Sequence, residues 1–233
     1  MNLLGSLFRS SVGRKFLMAA TGFVLFGFVT GHLLGNLQIF LPPEKINAYG
    51  HMLESLGAGL WLIRFFLLTC VVIHVWLAIQ LTLENRAARP QGYGVAHVNR
   101  ATLASRVMAR TGIVVLAFIL FHLAHYTVRA GHPQWSEPSF TLADGFTKVR
   151  DIHTMMVEGF SNVAVSIFYI IAVGLLSYHL AHGIVSMLQT LGLKNEKWTR
   201  GLERFAVVYC WAYFLLNAAI PVAVLAGLVK LHA

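Results

Sequence analysis

Residues 60–82 read LWLIRFFLLTCVVIHVWLAIQLT, a stretch in which Arg64 is the only Lys, Arg, Asp or Glu. A helix that crosses a hydrocarbon core of about 30 Å needs roughly 20 apolar residues, and this stretch is long enough. It lacks the strict polar–apolar alternation of an outer-membrane strand, which favours a helix. Working outward, four more runs of this kind occur at 16–38, 108–128, 162–188 and 204–229. We therefore predict an all-α integral membrane protein with five transmembrane helices, in one membrane domain covering residues 1–233.

The distribution of basic residues predicts the orientation of these helices. The chain has 18 Lys and Arg against 9 Asp and Glu. Twelve of the 18 precede the first run or lie near the segments joining the second to the third run and the fourth to the fifth: Arg9, Arg14, Lys15, Arg86, Arg89, Arg100, Arg106, Arg110, Lys194, Lys197, Arg200 and Arg204. These segments share one side of the membrane, which the positive-inside rule makes cytoplasmic. We expect the N-terminus inside, the C-terminus outside and no nucleic-acid partner.

The positions of the cysteines and the length of the first apolar run exclude three features: a disulfide framework, covalently attached haem and a cleavable signal. Cys70 and Cys210 both fall within predicted spans, and no Cys-x-x-Cys-His motif occurs. This excludes a disulfide framework and covalently attached c-type haem. The first run is too long for a cleavable signal and lacks a small-residue cleavage site. No internal repeat is evident at this level.

Six of the 11 histidines fall within predicted spans, where an ionisable side chain is costly and marks a candidate functional site. They are His32 in the first span, His74 in the second, His122 and His125 in the third, and His179 and His182 in the fourth. The other five lie in or near loops and have a simpler explanation. Four consecutive spans with at least one histidine each predict a shared function rather than isolated packing residues.

Depth divides these histidines into two layers. His32 and His122 lie about two turns from the outer ends of their spans, and His74 and His179 about two turns from the inner ends. Two such pairs, about 10 Å apart along the membrane normal, are what two stacked bis-histidine haems require. Neighbouring glycines would let a flat macrocycle approach the backbone or would serve close helix packing: Gly27, Gly31, Gly35, Gly174 and Gly183.

His125 and His182 each follow a chosen ligand by three residues, on nearly the same helix face. Either could be the ligand itself, or a partner for a haem propionate. His125 lies closer to the outer surface than His32, and His182 lies closer to the inner surface than His74. Depth therefore favours His122 and His179 as the ligands.

An ordered set of segments resembles a known family. The segments are TGHLLGN (30–36), NAYGHMLESL (47–56), CVVIHVWLAIQL (70–81), ARTGIVVLAFILFH (109–122) and LLSYHLAHGIVS (175–186). Together they resemble the cytochrome b membrane anchor of the succinate dehydrogenase and fumarate reductase family, in its single-subunit, five-helix, two-haem form. The resemblance implies a four-helix haem-binding core, with the last helix outside it.

The resemblance also implies residue roles. His32 and His122 would bind the iron of a distal haem, and His74 and His179 that of a proximal haem. His125 and His182 then remain as neighbours of the ligands or propionate partners.

Two further positions of the family's pattern concern quinone and protons. Glu54, in HMLES, would be an acid at the quinone site; its simpler explanation is a solvent-exposed carboxylate or a charge favourable to a helix N-terminus. Ser177 stands where some relatives carry a glutamate associated with a transmembrane proton route, which puts that route in doubt here.

The implied function is that of a subunit of respiratory complex II in a bacterial or archaeal plasma membrane, linked to the tricarboxylic acid cycle. The chain has no glycine-rich nucleotide motif and no cluster-type cysteines. FAD, the iron-sulfur clusters and the dicarboxylate site are therefore expected on a flavoprotein subunit and an iron-sulfur subunit. Electrons would pass through two haem b groups to or from a quinone, usually menaquinone in this form.

The cytoplasmic arginines have two interpretations. Four of them could pair with proximal haem propionates or dock the iron-sulfur subunit: Arg86, Arg89, Arg106 and Arg110. Alternatively, they reflect positive-inside topology alone.

Two other functions are compatible with histidines in several spans. One is the diheme cytochrome b subunit of another quinone-linked enzyme, of the nitrate reductase or formate dehydrogenase type, although the histidine spacing differs. The other is a proton-coupled transporter, which would be expected to carry intramembrane carboxylates. The five runs have essentially none at mid-depth.

Overall fold

A computed structural model of the chain describes residues 7, 8, 10–87 and 103–232, with the backbone alone at 103–107. Helices account for most of these residues. They are α1 (Ser11–Asn36), α2 (Pro43–Ser55), α3 (Ala58–Ala87), α4 (Leu103–His122), α5 (Ile152–Ser161), α6 (Val163–Thr190) and α7 (Thr199–Leu225). A 3-10 turn at Leu37–Phe40 continues α1, and a π-helical turn at Leu123–Val128 continues α4.

Five helical segments are long and apolar enough to cross a membrane: Ser11–Phe40, Ala58–Ala87, Met108–Val128, Val163–Thr190 and Thr199–Leu225. Each coincides with one of the five predicted runs, so the structure bears out an all-α, multi-pass membrane protein. Several ends differ from the prediction by up to five residues. The first and fifth helices begin at Ser11 and Thr199 rather than at 16 and 204. The second helix continues past residue 82 to Ala87, and the fifth stops at Leu225 rather than 229. Gly227 follows with φ of 68°, a left-handed conformation that ends a helix.

The spanning helices present apolar side chains outward. Only 11% of the most apolar window of α3 is buried within the protein, and 33% of that of α7, the largest share among the five. Leu62, Ile113 and Val208 are 71%, 70% and 68% exposed. Apolar surface of this extent marks contact with lipid or a partner.

A small β-hairpin lies between α4 and α5 and was not predicted from the sequence. Strands β1 (Pro138–Thr141) and β2 (Lys148–Arg150) pair antiparallel, with Phe140 opposite Val149. The turn is stabilised by the Asp144 carboxylate, which accepts hydrogen bonds from the backbone N–H groups of Phe146 and Thr147 at 3.0 and 2.8 Å. The next residue, Gly145, has φ of 80°, which suits glycine.

The chain divides into two compact units, and the boundary falls within each of the five long helices. The first comprises Met1–Phe28, Phe65–Ile113 and Leu176–Cys210, and the second Val29–Arg64, Val114–Leu175 and Trp211–Ala233. We call them the His74 unit and the His32 unit after a histidine in each. A single membrane domain stays a prediction.

The core of the His74 unit lies between α6 and α7. Ile184, Ala206 and Cys210 are buried there, and Phe26 of α1 packs against this cluster. The ring of Phe26 also lies 5.0 Å from that of Tyr209, measured between centroids. Three helices are thus joined by apolar contacts in this unit.

The His32 unit is organised by polar contacts between α2 and α5. The Asn47 side chain, fully buried, accepts hydrogen bonds from the backbone N–H groups of Ile152 and His153 at 2.8 and 3.0 Å. It also donates to the Asp151 carboxylate at 3.1 Å. The first N–H groups of a helix have no hydrogen-bond acceptor within that helix. Asn47 of α2 supplies an acceptor for the N–H groups at the start of α5.

Candidate functional site

The four predicted haem ligands separate into the two pairs that the sequence suggested. His32 and His122 lie in the His32 unit, and His74 and His179 lie in the His74 unit. No group of three or more His, Cys, Asp or Glu side chains suited to a metal ion occurs among the described residues. Metal binding by this chain therefore stays a prediction based on histidine pairs.

His32 on α1 and His122 at the end of α4 lie side by side. Their ring centroids are 5.6 Å apart and their planes make an angle of 83°. Two imidazoles on opposite sides of one metal ion would have centroids about 6 Å apart, since a metal–imidazole bond is about 2 Å. The separation would allow both rings to hold one metal-containing group.

Tyr169 of α6 connects His122 with His125. Its hydroxyl lies 3.3 Å from Nδ1 of His122 and 3.1 Å from Nδ1 of His125. A hydroxyl has one proton, so it can donate to one imidazole and must accept from the other. If His122 is an iron ligand through Nε2, its Nδ1–H donates to Tyr169, and Tyr169 donates to His125. In this arrangement His125 supports the ligand through Tyr169.

His125 belongs to a group of rings that the sequence did not predict. Its ring lies 4.2 Å from that of Tyr126 and 5.6 Å from that of Trp135, between centroids. The indole N–H of Trp135 donates to the Glu158 carboxylate at 2.6 Å. Trp135 is buried, with 5% of its surface exposed.

The second pair, His74 of α3 and His179 of α6, is close enough for the charges of the two rings to interact. Each ring faces a buried threonine hydroxyl from another helix. Nδ1 of His74 lies 3.1 Å from Thr21 Oγ1, and Nδ1 of His179 lies 3.3 Å from Thr111 Oγ1. His182 interacts electrostatically with His179 in the same unit and is partly exposed.

The predicted glycines fall into two groups. Gly35 and Gly174 pack against the rings of Tyr49 and Phe214, where an added Cβ would lie 2.8 and 3.4 Å from the nearest ring carbon. The others border open space, with nothing within 4 Å of an added Cβ: Gly27, Gly31 and Gly183. The first group serves helix packing, whereas the second leaves room for a planar cofactor or a lipid chain.

Ser177 is 6% exposed, and its hydroxyl oxygen has no hydrogen-bond partner among the described residues. A buried polar atom without a partner is rare and calls for a ligand or water. Ser177 lies in the His74 unit, two residues before His179. This unsatisfied hydroxyl, the spacing of the histidines and the open glycines fit the binding of a haem.

Glu54, the predicted quinone-site acid, lies among positive charges. It forms an ion pair with Arg150 of β2, with 2.6 Å between Oε1 and a guanidinium nitrogen. Burial lowers the pKa of the nearby Arg129 guanidinium, and the charges of Arg150 and Arg64 lower it further, whereas Glu54 raises it. Arg150 and Arg129, from different elements, therefore both interact with this carboxylate, and Arg64 interacts with Arg129.

The arginines predicted to be cytoplasmic include exposed and ion-paired side chains. Arg86 and Arg110 are exposed, and Arg14 forms an ion pair with Glu84 at 2.6 Å. Other predicted members of this group lie outside the described residues, either entirely or in their side chains: Arg9, Arg89, Arg100 and Arg106. A role in haem or partner binding stays a prediction for all of them.

No protein-family model, curated protein or solved structure matches the chain. The functional interpretation therefore depends on the residues and their geometry.

Proposed function

We propose that the chain is the membrane anchor and electron conduit of a succinate:quinone oxidoreductase. When bound, two haem b groups would supply one-electron transfer between a partner iron-sulfur subunit and a membrane quinone such as menaquinone. The dicarboxylate site, the FAD and the iron-sulfur clusters would belong to the partner subunits.

The observation that carries this proposal is the pairing of intramembrane histidines. Each compact unit contains one pair of predicted ligands, drawn from two different helices. In three of the four, Nδ1 faces a hydroxyl: Thr21 for His74, Thr111 for His179 and Tyr169 for His122. Haem ligation uses one imidazole nitrogen and commonly leaves the other to a hydrogen-bond partner.

The proposed topology gives each pair a place on the electron path. With the N-terminus cytoplasmic, His74 and His179 hold the haem nearer the iron-sulfur subunit, and His32 and His122 hold the haem nearer the outer surface. The positive-inside distribution of Lys and Arg supports this orientation. It corresponds to a bacterial or archaeal-type plasma membrane.

Glu54 is the residue that we assign to the quinone. Reduction of a quinone consumes two protons at its oxygen atoms, and a nearby carboxyl group can donate them or accept them back in the reverse direction. Glu54 belongs to the His32 unit, which holds the predicted distal pair. The surrounding arginines would stabilise negative charge that develops on the quinone oxygens.

Optical spectroscopy of purified membranes tests the haem assignment. The dithionite-reduced minus oxidised spectrum should show b-type haem, and a pyridine haemochrome assay should give two haems per chain. Absence of haem would overturn the proposal.

Copurification with a tagged chain tests the rest of the assignment. A flavoprotein and an iron-sulfur subunit that together reduce quinone with succinate would support it. Two haems with a nitrate reductase or formate dehydrogenase partner would instead establish the alternative diheme cytochrome.

A further inference from the structure

The same dipeptide, Thr-Gly, occurs on α1 and on α4 beside a histidine of another long helix. Thr21 and Gly22 of α1 meet His74 of α3. Thr111 and Gly112 of α4 meet His179 of α6 in the same way. All of these residues lie in the His74 unit.

The hydrogen bonds of each threonine define which proton its histidine carries. The Thr21 hydroxyl donates to the backbone carbonyl of Leu17 at 2.9 Å or of Met18 at 3.1 Å. When its single proton is directed to either carbonyl, the hydroxyl is an acceptor for Nδ1–H of His74, which lies 3.1 Å away.

Thr111 repeats this arrangement. Its hydroxyl lies 3.0 Å from the Met108 carbonyl; with its proton there, it is an acceptor for Nδ1–H of His179, 3.3 Å away. Thr21 and Thr111 are 8% and 6% exposed, which keeps water from competing for either bond. A neutral imidazole that carries its proton on Nδ1 leaves the Nε2 lone pair available to a metal ion.

The adjacent glycine brings each ring close to a helix backbone. A Cβ atom added to Gly22 would lie 3.4 Å from Cε1 of His74, and one added to Gly112 would lie 3.7 Å from Cε1 of His179. These are van der Waals contacts. Each ring therefore rests against the backbone while its Nδ1 is bound by the preceding threonine.

The two sites belong to a repeated pattern. Residues 21–32 read TGFVLFGFVTGH and residues 111–122 read TGIVVLAFILFH. In both, a histidine follows the threonine by eleven residues, which is about three helical turns. Two segments of the chain thus share a Thr-Gly pair and a histidine at the same spacing.

We propose that Thr21 and Thr111 are positioning residues that hold His74 and His179 as Nδ1–H tautomers, so that Nε2 of each is the iron-binding atom. This inference rests on the proposed haem function. A hydrogen bond from Nδ1–H makes an imidazole a stronger donor to the metal. The two threonines therefore strengthen ligation and favour the oxidised iron of one haem, the proximal one.

Replacement of the hydroxyl by a methyl group tests this role. We expect Thr21→Val and Thr111→Val each to weaken retention of the proximal haem by about 10-fold. Its midpoint potential should become more positive, because the oxidised iron loses stabilisation. The haem of His32 and His122 should keep its potential and occupancy. Thr21→Ser and Thr111→Ser, which keep the hydroxyl, should restore both properties.

Thr69→Val is the matched control. The Thr69 hydroxyl donates to the Phe65 carbonyl of its own helix at 2.8 Å, and Thr69 is exposed. This variant should leave both haems unchanged.

The outcomes separate the two proposals. A wild-type chain without haem overturns the proposed function. Two haems in the wild type, with unchanged potential and retention in both valine variants, overturn the positioning role. If a valine variant fails to assemble, ¹⁵N chemical shifts of ¹⁵N-histidine-labelled wild type and serine variants test the positioning role. A proton on Nδ1 of His74 and His179 supports the role. A proton on Nε2 overturns it.

Discussion

His122 and His125, and likewise His179 and His182, are pairs of histidines three residues apart, of which one is the predicted ligand. We expect His122→Leu to lose the distal haem and His179→Leu the proximal haem, leaving one haem per chain in each case. His125→Leu and His182→Leu should retain two, because these side chains lie beside the ligands. Pyridine haemochrome assays of purified chains measure the number of haems per chain, and redox titration identifies which haem remains.

The neighbouring-histidine variants are the controls for this comparison. Retention of both haems in His122→Leu, with loss of one in His125→Leu, would reassign the distal ligand to His125. Loss of both haems in all four variants would contradict independent binding of the two haems.

Glu54→Gln separates a role in quinone chemistry from a role in stability. The Glu54–Arg150 ion pair is partly solvent-exposed, with side chains 35% and 26% exposed, so its loss should cost less than about 1 kcal/mol. Loss of a proton donor, by contrast, should lower quinone reduction by about 100-fold. Succinate-dependent quinone reduction and thermal unfolding of the purified complex measure the two effects.

Glu44→Gln, at the other end of α2, is the matched control and should keep its activity. Equal activity of Glu54→Gln and the wild type would remove Glu54 from the quinone site.

The sequence alone identifies the candidate histidines, because imidazole side chains within membrane spans are rare and energetically costly. It could not identify Thr21, Thr111 or Tyr169 as their partners. A threonine in an apolar helix usually bonds its own backbone, as Thr69 does. Only the fold shows that two threonines have a second partner on another helix. The eleven-residue spacing from each Thr-Gly to a histidine was the available signal.

The contact between α2 and α5 depends on one asparagine. Asn47→Ala would remove the hydrogen bonds to the N–H groups of Ile152 and His153 and the bond to Asp151. Because these groups would be left in a buried setting, we expect a loss of about 2–3 kcal/mol in the free energy of unfolding. Chemical or thermal unfolding of the purified chain in detergent measures this loss.

Asn195→Ala provides a control at an exposed helix start. The Asn195 side chain accepts a hydrogen bond from the N–H of Trp198 at 3.0 Å, where water can replace it. A loss at Asn47→Ala no larger than that at Asn195→Ala would contradict the importance of the α2–α5 contact.

Asp151 at the start of α5 makes this element sensitive to acid. Burial alone would raise the pKa of its carboxyl, but hydrogen bonds from Thr154, Asn47 and His232 together lower it below the usual 3.8. A lowered folded-state pKa stabilises the folded chain fully above the unfolded value, and the stabilisation is lost as pH falls through the folded value. The unfolding free energy should therefore decline below about pH 4, an expectation that follows from this lowered pKa.

Unfolding of the wild type and of Asp151→Asn between pH 7 and pH 3 tests this expectation. The variant should be less stable at neutral pH and show a weaker decline in acid. An equal decline in both proteins would assign the acid sensitivity to other groups.

Sequence predicts the long elements of this fold better than the short ones. Five apolar runs are long enough to indicate spanning helices without any tertiary information. The hairpin at 138–150 and helices α2 and α5 are short, and packing decides their structure. Asp144-Gly145, flanked by Phe140 and Val149, was a turn signal that the sequence contained. Asn47 and its partners at the start of α5 are more than one hundred residues apart in the chain. No local sequence pattern predicts their contact.

At the scale of the whole molecule, each compact unit contains one pair of predicted ligands and its own supporting hydroxyls. The His74 unit uses threonines, and the His32 unit uses a tyrosine shared by two histidines. This difference predicts different environments for the two haems. In the His32 unit, the hydroxyl of Tyr169 also contacts His125. In the His74 unit, each threonine hydroxyl also contacts a backbone carbonyl of its own helix.

Under the proposed function, the orientation of the whole chain in the membrane determines which of the two proposed haems faces the proposed iron-sulfur partner. Cysteine labelling in cells can measure this orientation. Glu137→Cys lies before the hairpin, and Glu196→Cys lies between α6 and α7; both positions are exposed. The natural Cys70 and Cys210 are 6% and 5% exposed and should give little background. A membrane-impermeant maleimide should label Glu137→Cys in intact cells and Glu196→Cys only after permeabilisation, because the basic segments remain cytoplasmic. The wild-type chain is the control for background. The opposite labelling pattern would place His32 and His122 on the cytoplasmic side and reverse the proposed electron path.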